Sequence, residues 1–198
     1  MRNPFRFPGV VTLGFLAAFR ALLVEGASGL IEVPPTETYT NAASRFQYPP
    51  KIGNFERERI QQHDNRGRDI GVGYNYIAHA IAITVFVYPI PLRAPNDNLE
   101  GHFDTCKNEI LSRHIGAQLV AERTIQLSAA QKKRKGKQAV FTYTDNFAHQ
   151  RQPVRSELSL FTHGQGQWFV KFTATYPTSQ HSVAESDLKT FLDQFTWP

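Results

Sequence analysis

The sequence predicts an α+β domain, a mostly antiparallel sheet with helices packed on its faces. Three observations carry this expectation. Alternating apolar and polar runs recur between short turn signals, one run (80–88) is apolar on both faces, and two stretches place apolar residues at helical spacing.

In chain order, the first segment reads as a secretory leader over residues 1–29. Arg2 and Arg6 precede an apolar stretch, and the small residues Gly26, Ala27, Ser28 and Gly29 close it. The best small-x-small site for a signal peptidase is Ala27-Ser28-Gly29, which would leave Leu30 as the new N-terminus. Arg20 falls inside the apolar run, at a cost of about 2.5–3.5 kcal/mol for a spanning helix, which argues against a permanent membrane span. The alternative is an uncleaved leader that anchors the chain to the membrane. No cysteine lies near the end of the run, so a lipid-anchored lipoprotein is not supported. Residues 30–45 then read as an extended linker without helix or sheet, rich in Pro, Thr, Asn and Ser. A single domain is expected over 46–198.

Within it, 55–62 and 69–76 flank Asp64-Asn65-Arg66-Gly67 and read as a hairpin. In its second strand Ile70, Val72, Tyr74 and Tyr76 share one face, with Gly71 and Gly73 opposite, where close packing needs room. The two-sided strand 80–88 is expected at the centre of the sheet. A helix follows, opened by Asn96-Asp97-Asn98, striped by Leu99, Phe103, Cys106 and Ile110, and stopped by Gly116. Residues 117–127 and 138–144 read as strands joined by a basic loop. The pair 155–162 and 167–176 meets at His163-Gly164-Gln165-Gly166. A closing helix begins at Ser182, which forms an S-x-x-E capping box with Glu185, and buries Ala184, Leu188, Phe191, Leu192 and Phe195.

This order, with the closing strand W-F-V-K-F-T-A-T-Y-P running into a C-terminal helix, resembles the PsbP-like fold of lumenal photosystem accessory proteins and their secreted bacterial relatives. The resemblance covers 46–197 and rests on topology and strand texture. It implies a small accessory or ligand-binding module outside the cytosol and transfers no functional residue onto a numbered position.

Charge adds little to the choice of partner. Of the formal net charge of +5, the leader carries part, and Lys132, Lys133, Arg134, Lys135 and Lys137 are concentrated in one predicted loop. A nucleic-acid surface interleaves aromatics with its cations, yet none occurs between Phe103 and Phe141, so no nucleic acid is expected. The run reads as a solvated hairpin tip, with contact to an envelope partner or to an anionic membrane surface as its functional alternative. The lone Cys106 offers neither disulfide nor zinc framework. It stands four residues after His102, a spacing two metal ligands would use, but its place on the apolar stripe favours a buried thiol. No catalytic residue, metal ligand or cofactor is assigned.

One constellation remains. Tyr74, Tyr76 and Tyr88, with Arg155, Glu157 and Lys171, lie on neighbouring predicted strands and would line a ligand pocket, the tyrosines as walls and Arg155 pairing an anion. The leading expectation is thus an exported, non-catalytic accessory or ligand-binding module of the cell envelope. The alternative is a small periplasmic hydrolase or isomerase using Glu157 and a loop histidine.

Overall fold

A computed structural model describes residues 29–91, 99–129 and 132–198, without the side chains of 128–129 and 132–133. The leader up to residue 28, the capping stretch Asn96-Asp97-Asn98 and the side chains of Lys132 and Lys133 lie outside the described residues. None of the described helices is long and apolar enough to cross a membrane.

Among the described residues, eleven strands and two helices follow one another as β1 (Gly29–Leu30), β2 (Tyr39–Thr40), β3 (Gln47–Tyr48), β4 (Lys51–Ile52), β5 (Phe55–Gln62), β6 (Ile70–Tyr76), β7 (Ile81–Pro89), α1 (Leu99–Arg113), β8 (Gln118–Ala129), β9 (Lys132–Phe147), β10 (Gln150–His163), β11 (Trp168–Pro177) and α2 (His181–Gln194). Nine strands form one antiparallel sheet ordered β1-β5-β6-β7-β11-β10-β9-β8, with β4 also beside β5, while β2 and β3 pair separately. The expected α+β class is what the chain adopts.

The helices take opposite faces because β7 and β11 are apolar on both sides. Ile81, Ile83, Val85 and Val87 face one core with Phe172, Tyr176 and the α2 residues Ala184, Leu188 and Phe191. Ala82, Tyr88 and Phe169 face the other, under Phe103, Cys106 and Ile110 of α1. This is the central, two-sided strand that the sequence predicts at 80–88.

Turn chemistry fixes the hairpins. Asp64 Oδ1 accepts the backbone N–H groups of Arg68 (2.7 Å) and Asp69 (3.1 Å), closing the β5–β6 turn. At the β10–β11 turn Gly164, Gln165 and Gly166 all have positive φ. Gly71 is packed as expected, since a Cβ there would stand 2.8 Å from His63 Nε2 and 3.0 Å from the Phe86 ring.

Four local expectations are corrected. First, the basic run is strand, because pairing continues from Gln118↔Thr142 to Ala129↔Lys132. Alternation then sends Arg134 to one face and Lys135 and Lys137 to the other. The Arg134 guanidinium lies 4.5 Å from the centre of the Trp197 ring and 3.1 Å from His163 Nδ1. On the other face Lys137 Nζ donates to Glu100 at 2.8 Å. Lys135 is exposed.

Second, β9 and β10 are longer than predicted, joined by the two-residue turn Ala148-His149, with φ of 50° and 64°. Third, the Ser182–Glu185 box does not cap α2. A 3-10 turn, Thr178–Gln180, runs straight into the helix, which starts at His181 with no side-chain cap. Fourth, the stretch 30–45 is docked. Ile31 N–H donates to Ile60 O (3.0 Å), buried Asn41 donates through Nδ2 to Gly67 O (2.8 Å), and Arg57 holds Tyr48 O and Pro34 O.

Candidate functional site

The six residues singled out from the sequence do not line one concavity. Tyr74 and Tyr76 share the α2 face with Arg155 and Glu157, whereas Tyr88 and Lys171 lie on the α1 face, a sheet thickness away. Register explains the split: Tyr74 pairs with Ile83, so it shares the face of the odd-numbered residues of β7, and Tyr88 has the opposite parity.

On the α2 face each of the four has a structural occupation. Tyr74 is 0% exposed, stacks edge-on against Phe191 at 5.2 Å and donates to Pro49 O at 3.0 Å. Tyr76 packs against Phe55 and His79. Glu157 accepts from the Tyr176 hydroxyl at 2.5 Å and from Gln138 Nε2 at 3.2 Å, with Arg155 Nε 3.9 Å away. Burial, helped by the Glu157 charge, pushes the Tyr176 hydroxyl well above its ordinary range. His181 joins through Tyr176 at 3.2 Å. The space beside Glu157, under Leu188 and Phe191, is only about 20 Å³, the volume of one water.

The α1 face holds a second polar group. Tyr88 Oη and His102 Nε2 share a hydrogen bond of 2.7 Å, and Cys106 Sγ lies 3.7 Å from the same nitrogen. The His102 ring stacks on Phe169 at 4.1 Å. Lys171, 7% exposed, stands over the rings of Phe86 and Tyr88. Burial, with the Lys171 charge adding to it, lowers the His102 imidazole to about 4, and burial raises the Cys106 thiol. The thiol is therefore kept as a small apolar group, unlike a nucleophile. Among the described residues no three His, Cys, Asp or Glu side chains come together as a metal site.

A sign can be attached to this cluster. Because the folded-state pKa of His102 is depressed, its contribution to stability is complete above about pH 6.5 and is lost as the pH falls toward 4. Asp69, coupled to the same lysine and raised by burial to about 6, acts in the opposite sense over that window. His102→Gln isolates the first effect. The stability difference between the natural chain and the variant is expected to shrink by about 1–2 kcal/mol between pH 7 and pH 4.5 in urea titrations, after allowance for solvent screening of a half-buried ring. A difference that does not change with pH would rule the account out.

A wider concavity lies at the C-terminal end of α1. It is an open cleft of about 670 Å³, bounded by Arg113, His114 and Gly116 on one side and by Thr142–Asp145 of β9 with Arg151 and Pro153 of β10 on the other. Its origin is a mismatch of strand lengths: β8 pairs no further than Gln118↔Thr142, while β9 continues to Phe147. His114 closes the α1 side, stacked on Tyr143 at 4.0 Å and with Nδ1 3.3 Å from Asp145 Oδ2. Burial lowers its pKa, and Asp145 works against that shift. Ile115 projects beside it, 98% exposed, and Leu119 and Val120 are exposed on the start of β8. Sequence reading missed this place. The signals present were Gly116, with φ of 77°, and an apolar Ile115 set between a helix stop and a strand start.

Fold and cleft together define an α+β protein in which one antiparallel sheet lies between two helices and carries a cleft at a sheet edge. Among solved structures it is similar to cyanobacterial PsbP (CyanoP) from Synechocystis, with a TM-score of 0.46 and 12% identity over 91% of this chain and 99% of that one. It is also similar to the Saccharomyces cerevisiae Ran-binding protein Mog1p, with a TM-score of 0.41 and 12% identity over 78% and 84% of the two chains. No family of known sequences matches the chain, and no curated protein matches it.

Proposed function

We propose that this protein is an exported, non-catalytic binding module of the cell envelope, and that it binds through the cleft between the end of α1 and β9. The observation that carries this reading is the contrast in volume: about 670 Å³ at the cleft against about 20 Å³ beside Glu157. A cleft of this size suits a small ligand or a few residues of a partner. Its lining sets two guanidinium groups, Arg113 and Arg151, against one carboxylate, Asp145. The ligand is therefore read as anionic. The hydrolase or isomerase alternative is disfavoured, since Tyr176 and Gln138 occupy the Glu157 carboxylate and α2 covers it.

Amide shift mapping of the isotopically labelled protein, with acetate and inorganic phosphate as separate probes, tests the site. Perturbations are expected at 113–118 and 142–153. Perturbations confined to the surroundings of Glu157, or none at all, would refute it. Fractionation with intact-mass analysis tests export, for which a species beginning near Leu30 is expected; a full-length cytosolic product would remove that half of the proposal.

A further inference from the structure

The backbone of the cleft wall points to a kind of ligand as well as a charge. The Ala148-His149 turn is a two-residue hairpin loop, so Phe147 and Gln150 exchange main-chain hydrogen bonds across it. Alternation then turns the N–H and C=O groups of Thr142, Thr144 and Asn146 away from β10, toward the outer edge of β9. Pro153 fits this phase: it pairs with Thr144 at a position where no N–H is needed toward β9. Thr142 meets Gln118 of β8. Beyond it, 143–147 pairs with β10 on its inner side and has no strand partner on its outer side among the described residues, and the Asn146 N–H is turned onto its neighbour Asp145 Oδ1 at 2.7 Å. The Thr144 main chain thus faces the cleft with one donor and one acceptor at strand spacing.

Resting on the cleft reading above, we infer that the outer edge of β9 accepts a short, extended, acidic peptide as an added antiparallel strand, its carboxylates met by Arg113 and Arg151. Main-chain pairing supplies affinity and the arginines supply selectivity, as in other strand-addition complexes. The direction follows from β8. A peptide antiparallel to β9 continues the line of β8, so its C-terminal end lies against the turn of Arg113, His114 and Gly116, and Ile115 offers it an apolar contact.

The test uses the full chain and three probes: a pentapeptide alternating valine and glutamate with a free C-terminal carboxylate, its lysine counterpart, and the acidic peptide N-methylated at alternate residues. The acidic peptide is expected to slow exchange of the Thr144 amide by about tenfold or more. Arg151→Glu should weaken its binding by about tenfold, and added salt should weaken it further. The lysine and N-methylated peptides should bind far less. Arg151 is exposed, so its variant is expected to fold, and the dispersion of its amide spectrum checks this. Equal binding of the N-methylated peptide, or binding without protection of Thr144, overturns the inference. If acetate and phosphate still map to 113–118 and 142–153, the anionic cleft survives while strand addition fails. Protection of Thr144 that grows with protein concentration in the absence of peptide would mean that a second copy covers the edge, and also overturns it.

Discussion

Phe191→Ala is expected to destabilise the protein by about 3–5 kcal/mol, a large fraction of a typical domain's stability. The ring is 0% exposed and is the point where α2 meets the sheet. Its centroid lies 5.2 Å from Phe55 and 5.2 Å from Tyr74, with Phe172 at 6.5 Å and Phe195 at 6.3 Å. Truncation removes the common neighbour of four aromatic rings and leaves a cavity that rigid strands cannot fill. Phe191→Leu, which keeps most of the volume, should cost less, and the ordering of the two variants in urea denaturation is the check. Loss of under 1 kcal/mol for the alanine variant would mean that α2 is not held as described.

The second large effect is expected from adding a single methyl group. Gly136 pairs with Phe161 on β10, and a Cβ at Gly136 would stand 2.4 Å from two carbons of that ring and 2.7 Å from Leu160 O. Phe161 is itself 0% exposed and packs edge-on against Phe172 and Trp197, so it has no open space to turn into. Gly136→Ala is therefore expected to cost about 1–3 kcal/mol or more through overpacking. A double-mutant cycle tests the cause: with Phe161→Ala in place, the cost of Gly136→Ala should fall, leaving the part owed to the Leu160 carbonyl oxygen. Additive losses would place the strain elsewhere.

Sequence pattern revealed elements wherever a residue's local surroundings determine its structure. The stripe Phe103, Cys106 and Ile110 is buried by α1, and the glycine-rich turn after His163 joins β10 to β11. Pattern failed where the decisive partner is remote. Ala148 and His149 adopt left-handed conformations with neither Gly nor Asn to announce the turn, so the ends of β9 and β10 were undercounted. Lys132 to Lys137 read as a loop because charge was taken for exposure, although Trp197 and Glu100 occupy two of those cations. The proposed pocket failed on parity, since Tyr74 and Tyr88 are each correctly placed in strands while inter-strand register sets their faces. The cleft exists only because two strands end at different points, which no single segment encodes.

The docked N-terminal stretch has a consequence for how the molecule is presented. Leu30 pairs with Gln61 at one margin of the sheet, and the cleft opens at the other, six strand spacings away, roughly 30 Å before twist is counted. Twist of about 20–25° per strand turns these margins through more than a right angle. Gly29 therefore sits at the margin remote from the cleft, which sets the point of attachment of a preceding segment apart from the place of a visitor at β9. On the proposed reading, a tether ahead of Gly29 would hold the domain by one margin and present the cleft at the other.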